Sequence, residues 1–436
     1  MKAKNKLALI LFPAFDWAIS PMHPEREERL LYTQDQILEE GIADVEGIEF
    51  LNPGIATPKD IQRIHIAYPD VESLLTHSHY IAAGGVMTAL DAVLSGTHDK
   101  AFALVRPPGH HAQRVSYGDR GFCIINIEAV ALEYARKKYG VKKIAIVDTD
   151  CHHGDGTEDI FWNDPDTLFI SFHQDGRTLY PGTGDIRQVG GPGAVGYNIN
   201  IPLPPNTGDE GFNYVLENTV LPILDDFQPD LIINSAGQDN HYTDPLTNMN
   251  FSAQGYARLN ELLNPDICVL EGGYSIQGAL PYVNTGIILA MAGLDYSAVK
   301  EPDYDRGAWK QSEKIGKYVR DIADLALQLW KNKDELASEL RKDRKVVNRR
   351  RSVYYDTAGI MEQQEQSFTV CPRCPGYDSI FSSNDQGAKL FSITIPRNAC
   401  EHCEAAATSL FEENAASRSY KKVYLQDKKN DRYEVK

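Results

Sequence analysis

The chain has 436 residues, 42% hydrophobic and 24% charged, which excludes general disorder and supplies enough apolar material for one large domain and something smaller. A formal charge of −17 argues against non-specific nucleic-acid binding, which needs an excess of Lys and Arg, and favours cationic or neutral substrates. No stretch approaches the roughly 18 apolar residues of a membrane span, so no membrane partner is expected and the expected compartment is the cytoplasm.

The opening MKAKNKLALILFPAFDW carries lysines and a short apolar run, but no small-residue cleavage site follows and Pro13 interrupts the run, so a buried first strand is expected rather than a signal peptide. From residue 7 to about 300, short β-rich runs alternate with longer helical patterns. This predicts an α/β fold with a mostly parallel central sheet and helices on both faces. The predicted strands are KLALILF, AFALV, KKIAIV, DTLFISF, PDLIINS and PDICVLE, and NIEAVALEYARKKYG has helical spacing with a glycine stop.

Ligands in open α/β sheets sit beyond the carboxyl ends of the strands. There AFALV runs into RPPGHH, ending in His110 and His111, and KKIAIV runs into DTDCHH, with Asp148, Asp150 and His152. DTLFISF leads to His173, PDLIINS to AGQD with Asp239, and PDICVLE to GGY with Tyr274. Each signal alone is ordinary loop or turn chemistry; their convergence on one sheet edge is not.

Asp150 and His152 lie two apart at a strand end, where side chains i and i+2 project the same way. Both reach one ion, and Asp239 supplies a third donor. Two carboxylates and one imidazole leave a tetrahedral position open, as in a catalytic zinc site. Alternation turns Cys151 away. An attacking water needs a base and the leaving group an acid; His110 and His111 suit those tasks, with Asp148 and Asp155 as the nearby carboxylates to orient them. The Tyr274 hydroxyl suits stabilisation of an oxyanion.

RPPGHHA, GFCIIN, DTDCHHGDGT, SFHQDGRTLYPGTGD, SAGQDNHYTDPLT and LEGGY, in that order, resemble the zinc-dependent histone deacetylase family, which includes the acetoin-utilisation proteins and acetylpolyamine amidohydrolases on the arginase-deacetylase fold. The likeness covers roughly residues 7 to 300. It implies zinc on Asp150, His152 and Asp239, with His110 and His111 handling protons, the first oriented by Asp148 and the second by Asp155, and Tyr274 polarising the acetyl carbonyl. It also implies potassium on Asp148, Asp150, His152, Ser171 and Phe172, and an acetyl-lysine tunnel bordered by Gly121 and Phe122. HPEREERL resembles the family's N-terminal motif and puts Arg29 at a position associated with acetate exit. The chain departs from the pattern at Tyr180, a tyrosine where the second tunnel wall is usually phenylalanine, and at Ile127 and Glu128, where relatives often carry a second asparagine. Leu246 replaces the glutamate of polyamine-selective relatives. In the short loop after Tyr68, Asp70 is the one candidate to grip the substrate backbone.

Beyond residue 310 a long amphipathic helix is predicted over KYVRDIADLALQLWKNKDELASELRKDRKVV, passing through the basic run RKDRKVVNRRR into a linker, with that run read as solvated surface. CPRC and CEHC then place Cys371, Cys374, Cys400 and Cys403 around a strand-rich segment, the spacing of a closed four-thiolate structural zinc in a small zinc-ribbon-like domain. Its folding is expected to be coupled to the metal. The expected divisions are a deacetylase-like catalytic domain over 1–335, the basic helix end and linker over 336–365, and the ribbon over 366–436. The module's use is left open among docking on the catalytic domain, holding a homo-oligomer together, and recruiting a protein or nucleic acid.

The expected activity is zinc-dependent removal of an acetyl group from acylated lysine or a similar amine. The alternatives are an acetylpolyamine or small acyl-amide hydrolase, a non-catalytic acyl-lysine binder, and arginase-like binuclear manganese chemistry using Asp239, His241 and Asp244.

Overall fold

The computed structural model describes residues 1–436 apart from 303, 306, 308 and 418. Its main sheet contains β1 (Lys2–Phe12), β2 (Glu46–Leu51), β3 (Lys100–Val105), β4 (Ile144–Asp148), β5 (Thr167–Gln174), β6 (Asn198–Leu203), β7 (Leu231–Ala236) and β8 (Ile267–Leu270). The spatial order is β2-β1-β3-β8-β7-β4-β5-β6, with every neighbouring pair parallel. Strands β3, β4 and β5 are buried at every residue, which is why they read as continuous apolar runs.

Alternation sends the strand residues to two cores. Leu7, Leu9, Phe102, Leu104, Ala145 and Val147 pack with residues of helices Ala253–Leu263, Leu280–Met291 and Glu313–Lys331. Ala8, Ile10, Ala101, Ala103, Ile144 and Ile146 pack with helices His77–Leu94 and Ile127–Tyr139. The latter begins where Asn126 Oδ1 accepts the Ala129 N–H at 2.8 Å and stops at Gly140.

The long terminal helix expected from the sequence is two helices, Glu313–Lys331 and Lys333–Arg341, divided at Asn332. The expected linker over 336–365 is also not observed. A six-stranded sheet begins within it, made of β9 (Val346–Tyr355), β10 (Ile360–Thr369), β11 (Asp378–Asn384), β12 (Lys389–Ile395), β13 (Lys422–Asp427) and β14 (Arg432–Val435), in that order. A boundary at 366 would cut β10 in two. All neighbours are antiparallel except β12 and β13, whose crossover contains helix Glu401–Ser417.

This sheet docks on the catalytic part through a two-stranded parallel sheet, Ile66–Ala67 with Val115–Ser116, that stands apart from the eight strands. Val353, Tyr355, Ile360, Ile380 and Leu390 share an apolar cluster with Ile66, Val115 and Tyr117, and the Tyr355 hydroxyl donates to the Val115 carbonyl at 2.6 Å. The basic run is not a solvated surface throughout, because its second half lies on β9. Arg349 and Arg351 turn inward onto Glu158 and Asp159, at 2.7 and 2.5 Å, while Arg350 faces solvent. Arg114 and Asp378 add a buried pair at 2.8 Å.

Candidate active site

Two loops at the carboxyl edge of the main sheet bring Asp150, His152 and Asp239 together, with one donor atom from each lying within 4.8 Å of the others. His152 Nδ1 stands 2.8 Å from Asp239 Oδ2 and 3.2 Å from Asp150 Oδ1. Backbone N–H groups fix both carboxylates: Gly272 donates to Asp150 Oδ2 at 2.7 Å, and Cys151 donates to Asp239 Oδ1 at 2.8 Å. A Cβ at Gly237 would collide with the Asp150 carboxylate, and one at Gly272 would collide with both carboxylates. These two glycines therefore permit the acids' approach.

Burial opposes charge on these groups, yet they cannot separate. It lowers His152, but the Asp239 and Asp150 carboxylates outweigh it and raise the imidazole to about 10. Asp239 is raised by burial and by Asp150. Two buried carboxylates sharing one imidazole proton suit a divalent cation, whose binding would release that proton.

His110 and His111 are buried beside this group. His110 Nδ1 lies 3.1 Å from Asp148 Oδ2, and His111 Nδ1 lies 2.9 Å from Asp155 Oδ1. Each ring thus turns its Nε2 away from its carboxylate; that of His110 is 3.8 Å from Asp150 Oδ2. Their environments push them apart. Burial would lower His110, but Asp150 and Asp148 prevail and raise it well above the ordinary value. His111 falls to about 3 through burial and the charge of His110.

Of the groups that support these residues, Glu271, Gln113 and Arg120 were not singled out from sequence, and Asp244 was considered only for binuclear manganese chemistry. Glu271 Oε2 accepts the Gly109 and His110 N–H groups at 2.7 and 3.0 Å. Gln113 and Arg120 both donate to Asp155 at 2.8 Å. Asp244 Oδ2 accepts the Tyr274 N–H at 2.7 Å. Glu271 begins the EGGY run and Gln113 follows the histidine pair, so their nearness to the motifs was the available signal.

Tyr274 is buried, with its ring 4.9 Å beneath the Arg29 guanidinium and 5.4 Å from the Phe122 ring. Arg29 donates to the Gly273 and Glu271 carbonyls at 2.7 and 2.6 Å. Tyr180 meets His111 edge-on at 5.2 Å and His152 at 6.3 Å. Gly121 lies against His111 and the Tyr180 hydroxyl. Leu246 is partly exposed and donates its N–H to Asp244 Oδ1. Ser171 pairs in register with Asp148, its hydroxyl 2.8 Å from His173 Nδ1, and Phe172 is wholly buried.

Two expectations are not brought to the site. Asp70 caps the short helix Val71–Leu74 by accepting the Ser73 N–H at 2.8 Å. His241 lies 3.1 Å from the buried Glu301 rather than joining Asp239, so a second metal on His241 finds no support among the described residues.

Cys371, Cys374, Cys400 and Cys403 form the other donor group, also within 4.8 Å. The first pair lies between β10 and β11 and the second at the start of helix Glu401–Ser417. The Cys403 N–H helps to hold the Cys400 thiol down at about 6, which suits a thiolate ligand.

A histone deacetylase domain matches residues 68–288. A probable deacetylase of Archaeoglobus fulgidus is 41% identical over 345 residues, spanning 72% of this chain and 95% of that protein. Histone deacetylase 14, a chloroplastic protein of Arabidopsis thaliana, is 39% identical over 260 residues, spanning 56% of this chain and 59% of its own. The crystal structure of the HDA15 HD domain is similar with a TM-score of 0.65 at 28% identity, covering 77% of this chain and 99% of that one.

Proposed function

The chain belongs to the histone deacetylase family, and on that premise we propose that it hydrolyses acetyl-lysine in proteins or peptides with zinc held by Asp150, His152 and Asp239. Membership makes it an enzyme of hydrolytic deacetylation; the zinc and the lysine substrate are inferred from the site. The observation that carries the inference is the meeting of these three donors beside two histidines, each anchored at Nδ1 by a carboxylate.

Two carboxylates and an imidazole suit zinc and leave a position open. When bound there, zinc supplies Lewis acidity toward water and the acyl oxygen. The chain's own groups do the rest. Asp155 holds the His111 Nδ1–H, which leaves Nε2 as the acceptor for the proton of the attacking water. Asp148 holds His110 protonated, and the imidazole pair returns a proton to the departing amine. The Tyr274 hydroxyl donates to the acyl oxygen as its charge grows, and Asp244 fixes the backbone that aims it. Acetate and the free amine are the products.

Phe122 and Tyr180 suit the alkyl stem of lysine. Leu246, apolar and bonded to the Asp244 that holds Tyr274, favours this stem over a polycationic amine. The four cysteines suit a second, closed zinc that stabilises the C-terminal sheet, and Asp148, Asp150, His152, Ser171 and Phe172 are proposed for potassium. Among the described residues all seven cysteines are free, and no helix is long and apolar enough to cross a membrane; the reduced thiols support a cytoplasmic setting.

Acetate release from acetyl-lysine peptides, acetylpolyamines and small amides tests the proposal. Peptides are expected to give the highest kcat/KM. Preference for polyamines would overturn the substrate assignment, and hydrolysis of none by zinc-loaded protein would favour a binding protein.

A further inference from the structure

The turn from β9 to β10 carries the C-terminal sheet into the active site. Asp356, its first residue, accepts the Gly121 N–H at 2.9 Å through Oδ1, and the Tyr180 hydroxyl donates to the same oxygen over 3.3 Å. Across the turn, Ala358 packs beside Gly118. Burial and the nearby Asp356 carboxylate push Asp119 up to about 7. The contacted segment is a strained one. Gly121 and Phe122 have φ of 54° and 68°, and reciprocal backbone bonds of 3.0 Å between Arg120 and Cys123 close the turn around them.

Glycine adopts this left-handed geometry freely, but phenylalanine does so at a cost. The Arg120–Cys123 bonds close the turn, and the Arg120 side chain ties its first residue to Asp155 at 2.8 Å. An ionised acceptor on the Gly121 N–H makes a charge-assisted bond, stronger than a neutral one. That bond sits one residue before the Phe122 ring, which packs on Tyr274. The longer bond from Tyr180 ties the ring facing His111 to the same carboxylate.

We propose that Asp356 is a positioning residue of the substrate channel, which acts through Phe122 and Tyr180. One carboxylate oxygen from the C-terminal sheet holds both aromatic groups beside the histidines and so keeps the walls that receive the lysine stem in place. The sheet is then part of the catalytic unit rather than an appended binding module. This rests on the reading of Phe122 and Tyr180 as the groups that border the substrate.

The test measures kcat and KM separately for an acetyl-lysine peptide on the full chain, for wild type, Asp356→Ala, Asp356→Asn and Tyr180→Phe. Thermal midpoint and metal content are followed in parallel. Asp356→Ala is expected to raise KM on the order of tenfold, the scale of one hydrogen bond to a charged group, with a much smaller change in kcat. Asp356→Asn keeps an oxygen for the Gly121 N–H and should recover most of the KM. Tyr180→Phe should shift KM by about twofold, as befits its longer bond.

Asp356→Ala with wild-type KM would overturn the clamp. So would an Asp356→Asn variant that is folded, metal-loaded and no better than Asp356→Ala. Should Asp356→Ala fail to fold, the other two variants decide: a KM raised about twofold in Tyr180→Phe and less than about threefold in Asp356→Asn supports the clamp, and any other pair of results refutes it. The wild-type rate separates the two readings. If wild type does not hydrolyse the acetyl peptide, the functional reading falls and takes the clamp with it; if it does and the variants match it, only the clamp falls.

Discussion

The molecule gathers donors at two places, and they are built in opposite ways. Asp150, His152 and Asp239 are buried and are held from outside by the Gly272 and Cys151 N–H groups, an arginine-supported shell and carboxylate-anchored histidines. The cysteines hold one another, and three of the four are partly exposed at one end of the C-terminal sheet. A site that must keep a position free for water and substrate needs its geometry fixed by neighbours. A site whose four thiolates fill the coordination shell fixes itself. The first is therefore expected to fail in chemistry when altered, and the second in folding.

The largest effect expected from breaking this contrast is on rate. His111→Ala and Tyr274→Phe should each lower kcat by on the order of 10²–10⁴-fold, while the thermal midpoint and both metals are retained. Wild-type rates in both variants would defeat the roles given to these residues. Cys403→Ser should show the reverse pattern. It should lose one metal per chain and several kcal/mol of stability in the C-terminal sheet, read by urea unfolding, with a smaller fall in kcat that follows the sheet's disorder.

Glu362 gives a pH-dependent form of the same contrast, because it lies inside the C-terminal sheet rather than at either metal group. Burial raises its carboxyl to about 7, although Ser382 and Gln364 donate to it. Its ordinary value is lower, so the folded state binds the proton more tightly. The associated stability is present in full below about pH 4.5 and is lost as pH rises through 7. Glu362→Gln should flatten this loss, worth about 1–3 kcal/mol at pH 8, in urea titrations at pH 5 and pH 8. An unchanged pH dependence would remove the carboxyl from the explanation.

The smallest effects separate neighbours on β9. Arg351→Ala leaves Asp159 with fewer partners in the interface and should cost about 1–3 kcal/mol. It also removes the Arg351 donor from Gln113, which in turn holds Asp155. Arg350→Ala, whose pair with Glu365 is exposed, should stay within about 0.5 kcal/mol. Equal costs in urea unfolding would show that strand alternation does not govern this interface.

What could be read from sequence followed from local periodicity. Asp150 and His152 share a direction because they are two apart at a strand end, and the helix Ile127–Tyr139 announces both of its ends. The strand Asn198–Leu203 keeps a period of two, with Ile199, Ile201 and Leu203 facing one core, but the asparagines and Pro202 between them are residues that strands ordinarily lack. The second strand of the C-terminal sheet hid more thoroughly, because its buried face is largely polar: Glu362, Gln364 and Gln366 point inward while Met361 faces solvent. Hydrophobic alternation cannot find a strand whose inner face answers the charges of Arg351 and Asp159. Asp356 left no local signal at all, since its partners Gly121 and Tyr180 are brought to it only by the docking of the C-terminal sheet on the catalytic part.

The most direct test of the central claim is the metal content of the purified chain, wild type against Asp239→Ala, with acetyl-peptide hydrolysis measured on the same samples. The expected result is two zinc ions per wild-type chain, and in the variant one zinc retained by the cysteines with hydrolysis abolished. An Asp239→Ala protein that keeps both ions and the wild-type rate would contradict it.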